Sequence, residues 1–130
     1  LARRFDFADC RSVVDAGGGS GGLAVGLCQV VPGLHVTVAD LAPVLPIAQA
    51  RIAASGLADR VGVLEADVLA APPPGVYDAA VVRSLLQVMS ARDAGRALAN
   101  IVAAVKLRAH QRGVALRELA SQQLSGKDPK

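Results

Sequence analysis

The segment Val13-Val14-Asp15-Ala16-Gly17-Gly18-Gly19-Ser20-Gly21-Gly22 constrains this chain more than any other. A β-branched run from Arg11 to Ala16 reads as a strand and stops in a cluster of glycines. Gly21 to Val31 then reads as a helix, with Leu23, Val25, Leu27 and Val30 available for burial and Pro32-Gly33 ending it. Gly17, Gly19 and Gly22 thus form a G-x-G-x-x-G turn between a strand and a helix. Such a turn lets the backbone approach a bound molecule closely and aims the first N–H groups of the helix at it. No Lys-Ser or Lys-Thr pair follows the glycines, which excludes a P-loop.

The rest of the chain repeats the alternation. Strands are expected at His35–Ala39, ending at Asp40, at Val61–Glu65, ending at Ala66-Asp67, and at Tyr77–Arg83. Helices are expected at Leu45–Ser55, closed by Gly56, and at Ala91–Val105, where Leu98, Ile101, Val102 and Val105 recur at helical spacing. Residues 71–76, with three consecutive prolines, read as a loop. Strand–helix alternation predicts an α/β fold with a doubly wound, mainly parallel sheet. Only four strands are found, so the sheet is expected to be incomplete at its C-terminal end.

Composition narrows the function classes. With 130 residues, 52% hydrophobic and 19% charged, the chain is long enough for one core and too apolar for a disordered segment. Aromatic residues are only 2% (Phe5, Phe7, Tyr77), which disfavours a base-stacking nucleic-acid binder. The net charge of +3 is unevenly placed: residues 1–100 are slightly acidic, while Lys106, Arg108, Arg112, Arg117, Lys127 and Lys130 make the remainder basic. The basicity belongs to a tail and gives no reason to expect nucleic acid or membrane as a partner. Cys10 and Cys28 have neither metal-type nor CxxC spacing and read as reduced, buried thiols of a cytoplasmic protein. No apolar run has the length of a membrane span, and the first residues are too charged for a signal peptide. The chain opens on Leu1 and its single methionine is Met89, so it reads as a piece of a longer product or as one with an unusual start codon.

Three acids sit at strand ends around the glycine turn. Asp40 closes the second strand, where a carboxylate can accept both hydroxyls of a ribose, as in either a nicotinamide or an S-adenosylmethionine site. Asp15 separates the two, because a carboxylate beside the loop would repel a pyrophosphate and attract an ammonium and a sulfonium. Asp67, followed by apolar Val68, is placed to accept an adenine amino group while its neighbour packs on the ring.

With these residues in view, the chain from about Phe5 to about Val105 resembles the S-adenosylmethionine-dependent methyltransferases, and within them the small-molecule O-methyltransferases. Asp15-Ala16-Gly17-Gly18-Gly19-Ser20-Gly21 is similar to the family's Asp-x-Gly-Gly-Gly-x-Gly loop, which holds the methionine moiety. Asp40-Leu41-Ala42-Pro43-Val44 resembles the segment whose acid takes the ribose, and Glu65-Ala66-Asp67-Val68 the segment whose acid takes the adenine. The resemblance implies methyl transfer to a hydroxyl of a phenolic or polyketide-like acceptor. It also implies a homodimer formed through a preceding helical domain, which is not found in these residues.

The stretch Asp78 to Met89 departs from the family pattern. Arg83 stands at a cofactor-contacting Lys position, where it would donate to the methionine carboxylate, and Met89 at an aromatic position beside the adenine. Gln87 stands at the catalytic His position, and an amide has no usable basicity near neutral pH. It would orient an acceptor, or mark lost activity. His35 and His110 read as ordinary residues. The expected division is a partial cofactor-binding domain over 1–105 and a basic, helical or frayed tail over 106–130, in place of the family's Lys-Pro-Gly-Gly turn and fifth strand. Two alternatives stay open: a cofactor-binding unit without chemistry, and a less favoured NAD-dependent oxidoreductase.

Overall fold

The computed structural model describes Phe7 and residues 9–106. Four parallel strands, β1 (Ser12–Ala16), β2 (His35–Asp40), β3 (Val61–Glu65) and β4 (Ala79–Val81), form one sheet in the order β3-β2-β1-β4. Helices α1 (Gly22–Val30) and α2 (Leu45–Ser55) connect β1 to β2 and β2 to β3. A single 3-10 turn (Leu86–Val88) and α3 (Ala91–Ala103) follow β4. The parallel doubly wound sheet is therefore as the alternation predicts.

Local chemistry sets the boundaries. Gly21 enters α1 with φ 78° and Gly56 closes α2 with φ 76°, a left-handed conformation that costs other residues energy. The Ser90 side chain accepts the Asp93 N–H at 3.1 Å and so caps α3. Register places Val13 opposite Val36, Asp15 opposite Val38 and Asp40 opposite Glu65. With a period of two, Val13, Asp15, Val36, Val38 and Asp40 share the face covered by α1 and α2. Small residues there, Ala24 and Ala48, let the helices lie close on the valine-rich strands. On the opposite face Ala16, Val82 and Val68 pack with Ala97 and Ile101 of α3, and Val14 and Ala39 with Tyr77 and Ala104.

Three expectations need correction. β4 is shorter than the run Tyr77–Arg83: before it the Asp78 carboxylate accepts the Arg11 and Ser12 N–H groups at 2.8 and 3.1 Å, and after Val81 the chain leaves the sheet toward the 3-10 turn. α3 ends two residues before Val105, because Tyr77 captures the chain: its N–H donates to the Ala104 carbonyl and its carbonyl accepts from Lys106 N–H. Val105 then forms a parallel bridge with Tyr77 on the outer side of β4, and Lys106 reaches Asp78 at 3.4 Å. Finally, Val30 is 67% exposed, since α1 buries Ala24, Val25, Leu27 and Cys28 instead. Cys28 is buried as expected and Cys10 only half-buried, and the two form no disulfide. The tail expected over 106–130 lies outside the described residues beyond Lys106.

Between β3 and β4 the chain crosses the α3 face without a regular helix. Tyr77 Oη donates to the Pro74 carbonyl at 2.6 Å, which ties down the end of this crossover.

Candidate functional site

In a parallel sheet, ligands bind beyond the carboxyl ends of the strands, where the winding direction reverses. Here that place lies above β1, which is flanked by β2 and β4. The glycine loop arches over it. Gly17, Gly19 and Gly21 have φ of 69°, 58° and 78°, so the loop's path requires residues without a Cβ penalty. Gly17 N–H continues the ladder to the Ala39 carbonyl at 2.8 Å, and the Leu85 side chain presses against Gly17 from the β4 side.

Asp15 lies beneath this arch. It is 2% exposed, and its Oδ2 has no hydrogen-bond partner among the described residues. Burial, and then the charge of Asp40, push its pKa up to about 6, against a smaller opposing effect of Arg83. Gly18 seals the carboxylate from above: a Cβ there would stand 2.7 Å from Asp15 Oδ2 and 2.8 Å from Val38 Cγ1. A buried carboxylate oxygen without a donor is costly, and it is relieved by a proton or by a cation.

Asp40 holds the other side of the loop. Its Oδ2 accepts Gly19 N–H at 2.9 Å and its Oδ1 accepts Leu41 N–H at 2.8 Å. Each oxygen retains a lone pair for a further donor, so the backbone fixes the carboxylate in place without saturating it. Leu41 is exposed at the rim. Removing the Asp40 charge in Asp40→Asn is expected to bring the Asp15 pKa below its value of about 6, because Asp40 raises it. A carboxyl-detected NMR titration of Asp15 checks this, and an unmoved midpoint would contradict the placement.

The remaining expected residues are spread around the same edge. Asp67 is exposed and caps its own turn: Oδ1 accepts Leu69 N–H at 3.0 Å, and its carbonyl accepts from Ala70 and Ala71. Val68, expected to pack on a purine, instead turns its side chain into the α3-side core at 7% exposure. Its apolar character serves to dock the Asp67 turn. Arg83 is exposed at the end of β4, and Gln87 is exposed on the 3-10 turn. Met89 is partly buried in the cluster that holds Val68. Sequence reasoning missed two residues. Leu85 closes on Gly17, and Asn100 of α3 donates from Nδ2 to the Val68 carbonyl at 2.6 Å. The signal for Asn100 was present, as a polar residue on the Ala97–Ile101–Ala104 stripe.

A four-stranded parallel sheet, a glycine arch over a buried acid and a second acid bound to that arch define a cofactor-binding α/β unit. The O-methyltransferase domain family matches residues 1–125, and the chain belongs to that family. The match runs past Lys106, further than the motif resemblance extends. Among its relatives is the 3-hydroxy-5-methyl-1-naphthoate 3-O-methyltransferase of Streptomyces sahachiroi, 38% identical over 86 residues, which are 66% of this chain and 25% of that protein. The aclacinomycin 10-hydroxylase RdmB of Streptomyces purpurascens is 35% identical over 105 residues, 81% of this chain and 28% of that protein. The O-methyltransferase NcsB1 from neocarzinostatin biosynthesis, solved with S-adenosylmethionine and 2-hydroxy-5-methyl naphthoic acid, superposes with a TM-score of 0.73 at 31% identity, over 78% of this chain and 31% of that one. The chain thus spans about a quarter to a third of the length of the proteins it matches. Among the described residues no helix is long and apolar enough to cross a membrane.

Proposed function

We propose that this chain is the cofactor-binding part of a cytoplasmic S-adenosylmethionine-dependent O-methyltransferase of secondary metabolism, acting on a hydroxyl of a small phenolic or polyketide-like acceptor. The observation that carries the reading is Asp15 Oδ2, a buried carboxylate oxygen with no donor among the described residues, beneath a glycine arch. It suits the ammonium of a methionine moiety and opposes a pyrophosphate, which disfavours a nicotinamide dinucleotide. In this reading Asp15 and the Gly17–Gly21 arch hold the methionine part and Asp40, with Leu41 beside it, the ribose. Asp67 takes the adenine, and Arg83 the methionine carboxylate. When bound, S-adenosylmethionine supplies a methyl group already activated on a sulfonium. The protein's work is then placement, which by itself accounts for much of the acceleration in such transfers. Gln87 has no basicity to remove the acceptor's proton, so its amide orients the acceptor, and the proton leaves from an acidic phenol or to a base elsewhere. A homodimer built through a preceding helical domain completes the acceptor pocket.

A second reading, a cofactor-binding unit without methyl transfer of its own, draws on Gln87. It gains from the relative named a hydroxylase, since a shared fold does not dictate the reaction. Calorimetric titration tests the cofactor: micromolar binding of S-adenosylhomocysteine with none of NAD is expected, and the reverse would overturn the proposal. Transfer of a labelled methyl group to a panel of phenolic acids separates the two readings.

A further inference from the structure

The crossover between β3 and β4 carries Asp67, yet it has no regular helix or strand of its own. Its first turn is held within itself by the Asp67 cap and by the bonds from Ala70 and Ala71. Its contacts to the rest of the fold include the Ala66 N–H bond to the Asp40 carbonyl at 3.0 Å on the β2 side, the Val68 and Leu69 side chains packed with Ala97 and Ile101, and the bond from Asn100 Nδ2 to the Val68 carbonyl. On the α3 side the Asn100 bond is the directional one. Apolar packing tolerates a slide along α3, whereas a 2.6 Å hydrogen bond sets the turn's height and rotation. The helix that supplies it begins just after the 3-10 turn, and Leu85 beside that turn presses on Gly17. One segment therefore touches the glycine arch at one end and the Asp67 turn at the other.

We propose that Asn100 is a positioning residue for the purine side of the cofactor site, holding Asp67 at the height where its carboxylate meets an exocyclic amino group. The inference rests on the cofactor reading above and assigns Asn100 no contact with the cofactor.

The test compares S-adenosylhomocysteine with its inosine counterpart, which replaces the amino group by an oxygen acceptor. The unaltered 130-residue chain is expected to favour the adenine form by about tenfold or more, the worth of one charge-assisted hydrogen bond. Asn100→Leu keeps the branched shape and removes the donor. It is expected to weaken S-adenosylhomocysteine binding about five- to tenfold and the inosine form less than about twofold, so that the preference collapses. Asn100→Gln, which keeps a donor, is expected to restore part of the preference. Amide exchange at Leu69–Ala71 is expected to quicken in Asn100→Leu without a matching change in the glycine arch. Equal weakening of both ligands, or unchanged exchange at the turn, would overturn the positioning role alone. Failure of the unaltered chain to bind either ligand would overturn the cofactor reading and this inference with it.

Discussion

Replacing Asp15 with asparagine is expected to stabilise the folded chain at neutral pH while depriving the site of its cofactor. Asp15 titrates near 6 in the fold against 3.8 for the free side chain, so the folded state holds its proton more tightly than the unfolded one. The contribution of Asp15 to stability is therefore greatest below about pH 4, falls as the pH rises from about 4 to 6, and stays low above that. The ionised carboxylate costs the fold about 3 kcal/mol at pH 8, by the usual conversion of a pKa shift. The asparagine side chain has nearly the same shape and no charge, so urea unfolding of Asp15→Asn is expected to lose the decline between about pH 4 and 6. At pH 8 the variant is expected to gain up to about 3 kcal/mol. Binding goes the other way. The lost charge-assisted contact to the ligand's ammonium is expected to weaken S-adenosylhomocysteine by about 30-fold or more in calorimetry. A variant that is less stable than the parent at pH 8, or that binds as well, would contradict this account.

Gly18→Ala is expected to damage stability and binding together. Gly18 has an ordinary backbone conformation, so the cost is steric: the new methyl would stand 2.7 Å from Asp15 Oδ2 and 2.8 Å from Val38 Cγ1. Neither neighbour yields easily, since Val38 is fully buried between strands and Asp15 is 2% exposed. Overpacking of this kind costs about 1–3 kcal/mol, and lifting the arch removes its N–H groups from the ligand's path. Gly19→Ala is the control. Its Cβ meets nothing within 4 Å among the described residues, so only the strain of φ 58° remains, expected to cost about 1 kcal/mol. Urea unfolding of both variants checks the difference, and a Gly19 change that costs more than the Gly18 change would show the arch to be held otherwise.

These effects divide what sequence can reveal from what it cannot. α2 and β3 were legible to the residue, because periodicity and a terminating Gly56 are local signals. The short β4 and the early end of α3 were not. They go with Asp78 meeting the amides of Arg11 and Ser12, and with Tyr77 meeting the chain at Ala104 and Lys106. The same holds at the site. Asp15, Asp40 and Asp67 stand out as acids at strand ends, but only the folded chain brings the Gly19 amide to Asp40, leaves Asp15 Oδ2 without a partner among the described residues and sends the Val68 side chain into the core. Asn100 shows the intermediate case, a polar residue on an apolar helical stripe whose partner, Val68, lies 32 positions away.

If the buried Asp15 carboxylate is the counter-charge for the ammonium of the cofactor, binding must expel the proton that the carboxyl holds at low pH. Calorimetry of S-adenosylhomocysteine in buffers of different ionisation enthalpy counts the protons. With a pKa of about 6 before binding, a ligand ammonium that holds Asp15 ionised is expected to expel about half a proton at pH 6 and almost none at pH 8. Affinity is expected to tighten between about pH 5 and 7. Binding at pH 6 without proton release, or tighter at pH 5 than at pH 7, would contradict the claim.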